Sequence, residues 1–202
     1  MANPAFGSKN VEKLLNAAFE TNDLKRMCHA VDAAVLRSGS IVEIALAAKV
    51  DRTTLYRAFR LAKGPALDTM IQVLRVLGFR LIVEVRREVA HRHERSVPVE
   101  GRSTARRRAA ATARQFTAAF KTEEMDSVGK VFKRTLHSQE NVSEFAGKTI
   151  RTRESLYRVF TQYPKPRFST LLSFLNALEL QFAVRRLPRP MISRRRMNSK
   201  HA

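Results

Sequence analysis

The chain has 202 residues and a formal net charge of +20, of which +13 comes from the two segments 86–114 and 185–202. This excess predicts a polyanionic partner, and double-stranded DNA is favoured over a membrane surface because arginine, which binds phosphate bidentately, dominates both segments. No apolar run approaches the ~20 residues that cross a bilayer, and the single Cys28 cannot form an intrachain disulfide. We therefore expect no membrane partner and a cytoplasmic, nucleoid-associated protein.

One segment of the sequence occurs twice, at a fixed offset of 101 residues. Of the 69 positions from 17 to 85, 16 are identical to the residue 101 positions later, among them Leu55-Tyr56-Arg57 with Leu156-Tyr157-Arg158. Self-similarity of this kind predicts two domains of the same fold. We expect a first domain at 1–86, an Arg-rich linker at 87–114, a second, divergent domain at 115–187 and a basic disordered tail at 188–202.

The first copy begins with helices. Apolar residues at helical spacing predict helices over 11–19 and 24–35. Ser40, with Glu43 three residues later, is the signature of a helix N-cap, and Asn141 begins the same signature in the second copy. A further helix is therefore expected to begin directly after Ser40.

Residues with special backbone preferences mark the starts and ends of the elements that follow. Asp51 is the expected N-cap of a helix over 52–60, and Pro65 is expected to preset the first turn of the next helix. Gly78 suits the left-handed conformation that ends this helix. The run 79–85 is rich in β-forming residues, with apolar side chains alternating onto one face.

A single strand in a helical domain exposes unpaired backbone groups along its edges. We therefore predict that 79–86 pairs antiparallel with 180–186 and joins the two copies about a pseudo-twofold axis. The alternative is strand pairing between chains, which gives a homodimer with four reading heads. The linker is expected to be mobile in its middle, with residues 105–116 able to extend the first helix of the second copy.

The segment from Ile41 to Phe59 has helix-turn-helix spacing, with a small residue, Ala45, ten positions before an apolar one, Leu55. In this motif the N-terminal residues of the second helix face base edges in the major groove. The candidate DNA-contacting residues are Lys49, Arg52, Thr53, Thr54, Tyr56 and Arg57 in the first copy, and Arg151, Arg153, Glu154, Ser155 and Arg158 in the second.

The side chains suggest individual roles. Arg52 and Arg153 suit bidentate bonds to guanine O6 and N7, and Thr53 suits a base edge or a thymine methyl group. Glu154 is repelled by phosphates unless it accepts from a cytosine amino group or orients an arginine, so the two heads should prefer different half-sites. The alternative is that the arginines are surface charges and that Tyr56 packs against its own domain.

Phosphate contacts outside the heads are expected from arginine clusters in the linker and tail, namely Arg106, Arg107, Arg108, Arg194, Arg195 and Arg196. The sequence has no constellation for catalysis, no set of metal ligands and no glycine-rich phosphate loop. We therefore expect neither an enzyme nor a cofactor or metal site.

The residues from Asp51 to Arg57, followed by Pro65, Thr69 and the ending Leu77-Gly78-Phe79-Arg80-Leu81, resemble the bacterial addiction-module antidote proteins of the HigA-like class. This resemblance implies a mainly α fold made of two tandem lambda-repressor-like (Xre/Cro-type) helix-turn-helix domains, each ending in a short strand. Members of the class bind operator DNA as dimers and repress their own operons, and many are paired with a small RelE-like toxin.

The turn between the two helices departs from the family pattern. Lys49 and Ile150 occupy the position that is usually glycine, where a left-handed conformation costs a non-glycine residue roughly 1–2 kcal/mol. Arg151 replaces the usual apolar residue that follows. The second copy is therefore predicted to be the degenerate one, and DNA contact by its head is the weaker expectation.

Three functions follow. The first is a transcriptional regulator that binds double-stranded DNA sequence-specifically, as an intrachain pseudo-dimer on an imperfectly palindromic operator. The second is an antitoxin that neutralises a RelE/HigB-like toxin and represses its own operon. The third is a non-specific nucleic-acid-coating protein driven by its arginine-rich segments.

Overall fold

The computed structural model describes residues 9–86, 99–122, 124–138 and 166–188. These ranges form a mainly helical structure with one two-stranded sheet. In chain order the elements are α1 (Lys9–Glu20), α2 (Leu24–Arg37), α3 (Ile41–Ala47), α4 (Arg52–Leu55) with a π-helical turn (Tyr56–Arg60), α5 (Leu67–Val76), β1 (Phe79–Val85), α6 (Val99–Thr122), α7 (Met125–His137), α8 (Phe168–Ala177) and β2 (Leu180–Arg186). No helix in the described ranges is both long and apolar enough to traverse a bilayer.

Side-chain caps set the helix starts in the first copy. Ser40 Oγ accepts from the Glu43 amide at 3.2 Å, and Asp51 Oδ1 accepts from the Thr54 amide at 2.7 Å. Each bond satisfies an amide that lacks an intrahelical partner. The predicted helix starts after Ser40 and Asp51 are confirmed, whereas Asn141 lies outside the described residues.

The predicted strand pairing is confirmed within the chain. β1 and β2 are antiparallel, with Ile82 opposite Ala183 at the centre, Phe79 opposite Arg186 and Val85 opposite Leu180. Ile82 and Ala183 are 101 residues apart, which is the offset of the sequence repeat. The register therefore maps onto itself when the two copies are exchanged, and the sheet has a local twofold axis at its centre.

Backbone hydrogen bonds around the sheet follow the same relation. The amide of Leu67 donates to the carbonyl of Pro166 at 2.8 Å, and the amide of Phe168, its counterpart 101 residues later, donates to the carbonyl of Pro65 at 3.1 Å. The expectation that Pro65 sits in the first turn of a helix is wrong, because α5 is capped by Ala66 and begins at Leu67. Pro65 and Pro166 directly precede the N-caps of α5 and α8, and their carbonyls accept the two hydrogen bonds that join the halves.

The first helix of each copy lies against the strand of the other copy. Asn16 in α1 accepts from the amide of Val184 at 2.8 Å and donates to its carbonyl at 3.0 Å. At the equivalent position in α6, Thr117 accepts from the amide of Val83 at 2.9 Å and donates to its carbonyl at 3.3 Å. A helix side chain thus satisfies the outward amide and carbonyl of one residue on each outer edge of the sheet, which shortens the edges that a two-stranded sheet would present.

Both faces of the sheet are covered near its centre. The predicted buried face is present, but Ile82, Gln181 and Ala183 on the opposite face are buried as well. Alternation predicted one buried face only. The difference arises because β1 packs against α5 and α6 and β2 against α1 and α8, so helices surround the pair of strands.

Aromatic side chains join the two halves into one core. Phe168 stacks on Phe182 with ring centroids 4.6 Å apart, and Phe19 of α1 lies 6.3 Å from Phe168. A second contact, between Phe132 and Phe174, is 4.0 Å. Since Phe19 belongs to the first copy and Phe168 to the second, the described parts of the two copies share a continuous apolar interior.

The arginine-rich linker is partly helical. α6 begins at Val99, includes Arg106, Arg107 and Arg108, and continues through the expected domain boundary at 114 to Thr122. Ala113, on the linker side of that boundary, is already buried. The extension of the helix into 105–116 is confirmed.

Candidate nucleic-acid interface

In the first copy, α3 and α4 are two short helices joined by a tight turn. Ala45 in α3 and Leu55 in α4 are both buried, as expected where two helices cross closely. The turn between them places Lys49 in the left-handed conformation, with φ of 53°. The expected strained turn is therefore present, with an exposed lysine at the position that glycine would relax.

Asp51 organises the start of the second helix. Besides capping the Thr54 amide, it accepts from the Thr54 hydroxyl at 2.5 Å. The hydroxyl and amide of Thr54 hold the pKa of the Asp51 carboxyl below its usual value, so the cap is ionised at neutral pH. The Thr54 hydroxyl is engaged in this cap, and Arg52 and Thr53 are the exposed side chains of the first turn.

An open cavity of about 370 Å³ lies beside this turn, lined by Ile41, Arg52, Thr53, Tyr56 and Arg60. We refer to it as the α3–α4 cleft. Its wall combines the start of α3 with one side of α4 and the π-helical turn. Four of the five lining residues are polar or carry a polar group, and Tyr56 is 43% exposed. Of the predicted site residues, Arg52, Thr53 and Tyr56 meet at this cleft, while Arg57 is exposed but does not line it.

Ile41 and Arg60 line the cleft but were not among the predicted site residues, and Arg60 is the charged one. Its Nε lies 3.3 Å from Oδ2 of Asp32 in α2, and its guanidinium lies over the Tyr56 ring, 5.5 Å from the centroid. The cation–π contact joins residues four apart, a spacing visible in the sequence. The ion pair joins residues 28 apart in the chain and depends on how α2 packs against the π-helical turn. No local sequence pattern therefore predicts it.

The second-copy candidates, Arg151, Arg153, Glu154, Ser155 and Arg158, lie outside the described residues, as do Arg194, Arg195 and Arg196 of the tail. Arg106, Arg107 and Arg108 are described and exposed on α6. Three successive residues of an α-helix span about 200° around its axis. At most two of them therefore share one face of the helix.

An apolar stripe lies on the outer face of α3. Val42 is 60% exposed and Leu46 is 80% exposed. Residues four apart on a helix lie on the same face. Large aliphatic side chains this exposed are poorly suited to a phosphate backbone, so this stripe is chemically distinct from the α3–α4 cleft.

Comparison with known proteins finds a similarity in the first copy. Residues 6–85 match a family model described as "probable addiction module antidote protein". No curated protein and no solved structure matches the chain significantly. The match ends at Val85, the last residue of β1. It supports an antidote-like helix-turn-helix in residues 6–85, as the sequence motif predicted, and it does not extend to the second copy.

Proposed function

We propose that the chain is a transcriptional regulator that binds double-stranded DNA sequence-specifically, as an intrachain pseudo-dimer on an imperfectly palindromic operator. The observation that carries the proposal is the strand register, in which Ile82 faces its own repeat equivalent, Ala183. Operators of helix-turn-helix dimers mirror the twofold axis of the protein. A chain with its own twofold axis supplies that symmetry without a second molecule.

The first head carries the reading chemistry. Arg52 and Thr53 are exposed at the N-terminal end of α4, the end that enters the major groove in this motif. If the second head adopts the same fold about the axis, the two reading helices lie roughly 34 Å apart, one turn of the duplex. The exposed arginines of α6 and the basic tail add phosphate contacts that raise affinity without reading sequence.

The second head makes the operator asymmetric. Where the first copy has Arg52 and Thr53, the second has Arg153 and Glu154. The Glu154 carboxylate can accept a hydrogen bond from a cytosine amino group, whereas Thr53 suits a base edge or a thymine methyl group. We therefore expect the two half-sites to differ at the base that faces this position.

In vitro selection of bound duplexes at about physiological salt tests the proposal. We expect two related but unequal half-sites whose centres are about 10 base pairs apart. Recovery of only one half-site would show that the second head does not read DNA. Equal affinity for selected and random duplexes, with an equally steep loss of both with salt, would establish non-specific coating instead.

Arg52→Ala tests the reading role directly. We expect it to cost about 1–3 kcal/mol on the selected duplex and to relax base preference at one position, because one bidentate contact to guanine is lost. The measurement is a competition titration of selected against single-base-changed duplexes. Arg26→Ala is the matched control, since Arg26 is exposed on α2 and does not line the cleft. An equal loss on selected and random DNA for Arg52→Ala would contradict the assignment.

A second candidate function is that of an antitoxin, which the family match and the apolar stripe on α3 favour. A RelE/HigB-like toxin encoded beside this gene is the expected partner. Co-expression should relieve the growth arrest that such a toxin causes, and Leu46→Glu should abolish the relief while operator binding persists. Arrest that the wild-type chain does not relieve would exclude this function.

A further inference from the structure

The α3–α4 cleft has the chemistry of a site for one nucleotide of a DNA backbone. Its apolar surfaces are the half-buried Ile41 and the exposed ring of Tyr56. Arg52, Thr53 and Arg60 complete its lining. A deoxyribose offers an apolar face next to an anionic phosphate, and this cleft offers the Tyr56 ring next to the Arg60 guanidinium, which contacts Asp32.

Arg60 is held in place within the cleft. Asp32 binds its Nε, and the Tyr56 ring lies under its guanidinium. The Asp32 contact leaves both terminal Nη groups of Arg60 as donors, and these are the groups that bind phosphate oxygens. A side chain fixed on two sides loses less conformational entropy when a ligand binds than an unrestrained arginine does.

The position of Arg60 along the helix favours the backbone over the bases. Arg60 follows Arg52 by eight residues, which is at most about 12 Å at the α-helical rise, because the last five residues form the π-helical turn. In this motif base edges are contacted by the N-terminal residues of the reading helix, so a side chain up to about 12 Å further along reaches the wall of the groove.

We infer that the α3–α4 cleft binds one deoxyribose-phosphate unit of duplex DNA. Tyr56 packs against the sugar, Arg60 donates to the phosphate, and Asp32 is the residue that positions Arg60. The inference rests on the proposed DNA-binding function and adds a backbone anchor whose residues differ from the base-reading pair Arg52 and Thr53.

Salt titrations of the full chain test this assignment. The affinity of wild type and Arg60→Ala is measured between 50 and 200 mM salt, on the selected duplex and on a random duplex of equal length. We expect the variant to lower the slope of log affinity against log salt by about 0.9 on both duplexes, which shrinks the salt-induced loss about threefold. Base preference should stay unchanged. Arg60→Gln provides a second neutral variant if Arg60→Ala unfolds, and Arg26→Ala is the matched control for charge.

Asp32→Asn separates positioning from net charge. Removing this carboxylate makes the chain more basic, so a purely electrostatic role predicts tighter binding to both duplexes. Positioning predicts weaker binding, because Arg60 is released from the cleft. Tighter binding by Asp32→Asn would contradict the role of Asp32 in positioning Arg60.

Two results would overturn the backbone contact. One is a slope of log affinity against log salt that is the same for Arg60→Ala as for wild type. The other is a slope that Arg26→Ala lowers as much as Arg60→Ala does. Failure of the proposed function has a different signature, since the wild-type chain would then bind selected and random duplexes alike. In that case a reduced slope for Arg60→Ala would still support the nucleotide site.

Discussion

Lys49 shows how a single residue sets the geometry of the turn between α3 and α4. Its left-handed conformation, φ of 53°, reverses the chain there and brings Val50 and Asp51 to the start of α4. The amide of Val50 donates to the carbonyl of Ala45 at 3.0 Å and closes the turn. A lysine here stores strain that glycine would not, and it places a cation beside the proposed DNA surface.

We expect Lys49→Gly to raise the free energy of unfolding by about 0.5–1 kcal/mol, because relief of the left-handed strain exceeds the added flexibility of the unfolded chain. Urea unfolding followed by circular dichroism measures this change. Lys25→Gly is the matched control within α2, where glycine should lower stability by about 1 kcal/mol. Destabilisation by both variants would show that the turn at 49 is unstrained.

Local features of the site could be predicted from the sequence and long-range features could not. The caps at Ser40 and Asp51 depend on residues three apart, so the sequence alone identifies them. The pair of Asp32 with Arg60 depends on the packing of two elements that are distant in the chain. Arg60 was therefore absent from the predicted site, although it lines the same cleft as Arg52.

At the scale of elements, α1 and α6 are exchanged between the halves. Each lies on the strand of the other copy and bonds the outer edge of that strand through one polar side chain, Asn16 or Thr117. The repeat offset relates these two residues, yet one is an amide and the other a hydroxyl. An amide side chain and a hydroxyl side chain can each both donate and accept a hydrogen bond. Either one can therefore satisfy the amide and the carbonyl of the strand residue that it contacts.

Asn16→Ala should lower the free energy of unfolding by about 1–3 kcal/mol, since it leaves the amide and carbonyl of Val184 without their partners at a partly buried edge. Thermal and urea unfolding measure the loss. Asn10→Ala is the matched control, because Asn10 is exposed on the same helix. Equal stability of the two variants would mean that the bonds between Asn16 and Val184 do not stabilise the edge of the sheet.

The strands themselves were predictable, but their surroundings were not. Alternating apolar residues identified both β1 and β2, and the need to cover a lone strand predicted their pairing. Burial of Ile82 and Ala183 was not predicted, because the helices that cover this face come from distant parts of the chain. Likewise, the bridge between Ala66 and Arg167 was not predicted, because this contact spans the two copies.

At the scale of the whole molecule, the two copies differ in the size of their buried side chains. Five buried positions carry an aliphatic residue in the first copy and phenylalanine in the second: Leu15 and Phe116, Val31 and Phe132, Leu67 and Phe168, Val73 and Phe174, Leu81 and Phe182. Phe19 contacts Phe168 across the copies. A pairing of two first copies would place the smaller Leu67 there and lose that ring contact.

One exposed ion pair joins equivalent positions of the two strands. Glu84 Oε1 lies 3.0 Å from Nη2 of Arg185, and these residues are equivalent in the repeat. A pairing of two first copies would lose this contact but would place Glu84 opposite Arg80, the equivalent of Gln181. The pair is exposed and contributes little, about 0–1 kcal/mol, so charge does not decide between pairing within one chain and pairing between identical copies.

The number of chains on one operator tests the central claim most directly. Native mass spectrometry of the chain with its selected duplex, read together with a footprint of the same complex, gives stoichiometry and site length in one preparation. The account predicts one chain per duplex, protecting two half-sites with centres about 10 base pairs apart. Two chains per duplex, or one chain protecting a single half-site, would contradict it.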